Sequence, residues 1–83
     1  MDFEKYVHKL PYGTKKDSPE VYQAYQEEAA RLFAAFYEDA LKEVGLTDHP
    51  KAAKAFNLAY QQGHANGFNE IFLHLCDIAN VLL

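Results

Sequence analysis

Eighty-three residues, 49% of them hydrophobic, with a formal net charge of −4, describe a single small domain over 1–83 that is globular rather than disordered. The acidic balance, with a pI near 5.4, speaks against direct binding to nucleic acid or to an anionic membrane surface. One cysteine, Cys76, allows no internal disulfide, and the chain has no uncharged apolar run long enough to span a membrane.

In chain order, residues 2–10 place Phe3, Tyr6, Val7 and Leu10 at i, i+3, i+4 and i+7, the apolar face of a short N-terminal helix capped by Asp2. A helix that short must dock on the rest of the chain to persist. Pro11, Gly13 and the run Thr14, Lys15, Lys16 mark a loop. Residues 19–44 then read as a long helix, with Asp17 or Ser18 as its cap, Pro19 in the first turn and Glu20 near the positive end of its dipole. Its expected apolar stripe is Val21, Tyr22, Tyr25, Ala29, Leu32, Phe33, Phe36 and Ala40. Glu27–Arg31 and Glu38–Lys42 are expected as i,i+4 pairs on the opposite face, and Gly45 supplies the left-handed residue that ends the helix.

The third segment starts at Pro50, with Thr47, Asp48 or His49 as cap, and runs to near the C-terminus. Read as one helix, its stripe is Ala53, Tyr60, His64, Phe68, Ile71, Leu75, Ile78 and Leu82. Gly63 and Gly67 each cost about 1 kcal/mol inside a helix, so either the helix bends or breaks there or the glycines serve packing. Ala55, Ala59, Gly63 and Gly67, spaced by four, form a ridge of small side chains that lets a neighbour approach closely. The expectation is an all-α fold: an antiparallel helical hairpin of two long helices across Gly45, plus the short N-terminal helix.

The apolar surface of the third segment is wider than one partner helix requires. Leu58, Phe72, Cys76 and Leu83 lie well away from the stripe and Leu73 further still. The N-terminal helix covers part of this surface, or a second chain does; on the second reading Leu58, Phe72, Leu73 and Cys76 are partner-contact residues. Glu27 and Glu38, with Glu20, Glu28, Asp39 and Glu43, offer a different surface, an acidic face imitating nucleic-acid phosphates toward a basic cleft, although Arg31 and Lys42 interrupt it. Gly63, His64 and Gly67 are expected to be structural, His64 as a buried or half-buried imidazole bonded to a backbone carbonyl or a tyrosine. Glu70, His74 and Asp77, at i, i+4 and i+7, are of the types that ligate metals, which leaves open a small metal-dependent protein or enzyme using that set or His64. Against an enzyme, Ser18 is the only serine and reads as a cap, and Cys76 reads as packing rather than nucleophile. No catalytic residue, bound metal or cofactor is expected.

The run HPKAAKAFNLAYQQGHANGFNEIFLHLCDI resembles the C-terminal half of small uncharacterised helical proteins of tailed bacteriophages. The matching positions are His49-Pro50-Lys51, Gly63-His64, Gly67 and Glu70; the KLPYGTKKD linker and the AARLFAAFYEDALKEVGL helix are compatible too. The resemblance implies a viral accessory protein in the cytoplasm of a bacterial host, and no assigned activity. With it, the leading expectation is a non-enzymatic module that binds and inhibits a host protein, such as a defence protein. A homo-oligomer and a structural part of the virion stay open.

Overall fold

The computed structural model describes residues 1–7 and 19–83, and the described chain is helical, with no strand among those residues. A 3-10 helix, Phe3–Tyr6, precedes α1 (Pro19–Glu43), α2 (Ala52–Gly63), a 3-10 turn His64–Asn66, and α3 (Phe68–Leu82). Leu10, Pro11, Gly13, Thr14, Lys15, Lys16, Asp17 and Ser18 lie outside the described residues.

α1 ends as its sequence dictates. Gly45 takes φ +79°, its amide donates to the Lys42 carbonyl at 3.2 Å, and the Leu46 amide donates to the Leu41 carbonyl at 2.8 Å. That pair of bonds is the Schellman closure, and Leu46, fully buried, provides its apolar anchor. His49 Nδ1 accepts the Lys51 amide at 3.0 Å ahead of α2, but the N-cap of α2 is Lys51, which makes no side-chain cap bond, so none of the three expected residues caps this helix.

The expected second long helix is two helices. Gly67 adopts φ +96°, ψ −179°, a conformation that L side chains rarely adopt, and α3 folds back along α2. At the turn, a Cβ on Gly63 would lie 2.6 Å from the Ile71 nitrogen; at the far end Ile78 and Leu82 lie beside Ala55, Leu58 and Lys51. Of the ridge, Ala55, Ala59 and Gly63 are buried against α3, whereas Gly67 is the hinge and faces open space.

The break also corrects the stripe. A single helix would carry one phase through 50–83, but the turn resets it. α2 buries Ala52, Ala55, Phe56, Ala59 and Gly63, while Ala53, Tyr60 and His64 are exposed; α3 buries Ile71, Leu75 and Ala79.

α1 lies across both. Phe36, with 0% exposure, stacks on Phe68 at 4.4 Å between centroids and meets Phe56, Tyr6 and Phe3 at 5.9, 5.4 and 6.5 Å. Phe33 meets both Phe56 and Tyr60, and Tyr37 meets Phe56. In α1, no residue before Leu32 is buried, and Tyr22, Ala29 and Phe33 are exposed contrary to the stripe. Length accounts for the first part of α1, since 25 residues extend about 37 Å against about 18 Å for the 12 of α2, whereas Phe33 is exposed at the rim of its contact with Phe56 and Tyr60. On its surface Arg31 pairs with Glu28 rather than Glu27, and among the described residues no ion pair joins Glu38 to Lys42.

The N-terminal helix is shorter than expected. Asp2 caps it, its Oδ1 accepting the Glu4 amide at 3.0 Å, but among residues 1–7 only 3–6 are helical and Val7 is exposed. Phe3 and Tyr6 together fill the gap between α1 and α3, Phe3 lying 5.8 Å from Phe72 and Tyr6 5.8 Å from Phe68.

Candidate functional site

Of the residues expected to touch a partner, Leu58 and Leu73 are 43% and 49% exposed. Phe72 and Cys76 are half-buried, because Phe3 covers the Phe72 ring and Cys76 sits in a cleft with Glu43, Val44 and Leu83. The N-terminal segment thus covers one flank of α3 and leaves the other uncovered. Val81 and Leu83 add 86% and 72% exposure near the end of α3. Glu27 and Glu38 are exposed on α1, Glu27 accepting a bond from Gln23.

A second surface is aromatic. Phe33, Tyr60, His64, Gly67, Phe68 and Ile71 line an open groove of about 270 Å³. His64 is exposed, contrary to its expected burial, yet its Nδ1 lies 3.2 Å from the Tyr60 carbonyl and its ring stacks on Tyr60 at 5.2 Å. The carbonyl partner is the expected one. The exposure follows from the reset of helical phase at the turn.

A third feature is polar. The Tyr6 hydroxyl donates to Asp39 at 2.5 Å in a cleft formed with Met1, Asp2, Lys5, Lys42 and Glu43. Burial of the ring, then the bond to Asp39 and the nearby carboxylates, push the Tyr6 pKa up to about 12. Burial likewise raises the Cys76 thiol, with the negative charges of Asp77 and Glu43 adding to it, which disfavours the nucleophilic thiolate. Among the described residues no three His, Cys, Asp or Glu side chains gather as a metal-ligand set, so Glu70, His74 and Asp77 share a helix face without forming a site.

The profile of a family of unknown function, DUF8546, matches residues 2–82. The chain belongs to that family. No curated protein and no solved structure matches it.

In this DUF8546 chain, sequence spacing does not announce the Tyr6–Asp39 bond or the exposure of Phe33 and Tyr60. No local pattern signals a contact across 33 positions. The bond has a measurable consequence. Below about pH 10 the hydroxyl is protonated in folded and unfolded chains alike, and its contribution to stability is full. Between pH 10 and about 12 the unfolded tyrosine ionises while the folded one does not, so stability falls as pH rises. The loss is at most about 2 kcal/mol, because the hydroxyl borders an open cleft. Tyr6→Phe should flatten this alkaline limb in urea titrations at stepped pH; an unchanged slope would show that Tyr6 is not its source.

Proposed function

We propose that this protein is a non-enzymatic protein-binding module, and that it serves as a phage accessory protein inhibiting a host protein in the bacterial cytoplasm. The observation that carries the binding reading is the apolar side chains left exposed on the α2–α3 pair, Leu58, Leu73, Val81 and Leu83. The phage and host parts rest on the resemblance of the HPKAAKAF…GHANGFNE run. In this reading α1 and the α2–α3 pair are the arms of an antiparallel hairpin across Gly45, one arm holding the other rigid enough to present its outer face. Association through such a face is governed by buried apolar area, with charges at the rim setting specificity.

The test is capture from a bacterial host lysate by the immobilised protein. The wild type is expected to retain a defined protein that Leu58→Asp plus Leu73→Asp does not, with circular dichroism of the variant unchanged. Glu27→Lys plus Glu38→Lys should leave capture intact. If instead the acidic-face variant loses the partner and the apolar-face variant keeps it, the phosphate-mimicking reading replaces this one. If neither variant alters what is retained, the apolar face is not an interface.

A further inference from the structure

The rings of α1 meet α2 at Phe56 and Tyr60. Leu58 stands two residues from each, on the opposite side of α2. There α2 and α3 enclose a groove of about 200 Å³ whose floor is Ala55, Leu58, Ile78 and Leu82 and whose edge is Lys51 and Lys54. Both lysines are exposed, and neither forms an ion pair with a described acid. The other described cations sit differently: Arg31 is held by Glu28, and Lys5 and Lys42 share a cleft with Asp2, Asp39 and Glu43. On a chain of net charge −4, this groove is an apolar slot with a basic edge.

We propose that the groove docks an amphipathic helix with an acidic edge, supplied by a partner protein. The inference rests on the protein-binding reading and adds the place and the chemistry. Apolar residues of the incoming helix at i, i+3 or i+4, and i+7 would lie along Leu58, Ile78 and Leu82, and its carboxylates would meet Lys51 and Lys54. Charge selects this occupant over a symmetric pair of the same groove. A two-fold interface sets a patch against itself, and the two lysine edges would then find no acid in the facing slot.

The experiment uses the whole protein, labelled with 15N, and two synthetic helical peptides with the same leucine row. One has glutamates along its flanks and the other lysines. The glutamate peptide is expected to shift the amides around Lys51, Ala55, Leu58 and Ile78, and to bind about tenfold more tightly than the lysine peptide. Lys51→Glu plus Lys54→Glu should reverse that preference, and Leu58→Asp should abolish the shifts while circular dichroism stays unchanged. Equal response to both peptides, or none at millimolar concentration, overturns the groove and leaves the capture assay to decide the wider binding reading. Shifts centred on Phe33 and Tyr60 would move the interface to the aromatic groove, and a concentration-dependent dimer abolished by Leu58→Asp would assign the slot to a second copy; both overturn the proposal.

Discussion

Phe36→Ala is expected to remove a large part of the fold's stability. The ring is completely buried and touches Phe3, Tyr6, Phe56 and Phe68, so it joins the N-terminal segment to all three helices. Truncating a buried phenylalanine costs about 3–5 kcal/mol, and a domain of this size has only about 4–12 kcal/mol in total. Urea denaturation followed by circular dichroism measures the loss. Phe36→Leu, which keeps most of the bulk, should cost markedly less. A loss under about 1 kcal/mol for the alanine variant would show that Phe36 does not hold the core together.

Gly63→Ala is the next largest. Helix propensity alone predicts a gain of about 1 kcal/mol. The packing opposes it: the added methyl would sit 2.6 Å from the Ile71 nitrogen, 2.7 Å from the Glu70 carbonyl carbon and 2.8 Å from the Ile71 Cα. These are backbone atoms at the start of α3 and cannot rotate away, so the helices must separate, at a cost of about 3 kcal/mol. Gly67 behaves differently. Nothing lies within 4 Å of its would-be Cβ, and the penalty of Gly67→Ala comes from φ +96° instead, about 1–3 kcal/mol. A D-alanine placed at 67 by semisynthesis accommodates that φ and should be tolerated. Denaturation midpoints separate the two causes. A stabilised Gly63→Ala would mean that α2 and α3 do not approach as described.

Features encoded within a few residues are legible in the amino-acid order alone. Gly45 ends α1, Asp2 caps the first turn, and the small residues Ala55, Ala59 and Gly63 mark where α3 comes close. The features that escape such reading depend on what lies opposite. Tyr22 has the correct spacing for a buried stripe, but spacing cannot reveal that α2 and α3 are too short to cover the whole of α1, nor that Phe33 meets Phe56 and Tyr60 at an exposed rim. Tyr60 and His64 fall on the stripe only if one helical phase is carried across Gly67, where the chain starts a new one. For the candidate interface, the width of the apolar surface points to Leu58, Leu73, Phe72 and Cys76 alike, and only folding separates the exposed leucines from the half-buried Phe72 and Cys76. Lys51 and Lys54 look like scattered charge until folding sets them beside Ile78 and Leu82.

The seating of Phe3 against Phe72 bears on the order in which the molecule assembles. In an unstructured chain that contact closes a loop of almost the full length, at an entropic cost of about 4 kcal/mol beyond the constant term. The Phe3–Phe36 contact closes a loop of about half that length, at about 3 kcal/mol. The ratio of the two loop lengths gives a bias of about threefold toward Phe3 meeting α1 before it meets α3. The amino-terminal ring then settles on α1 before α3 closes over it.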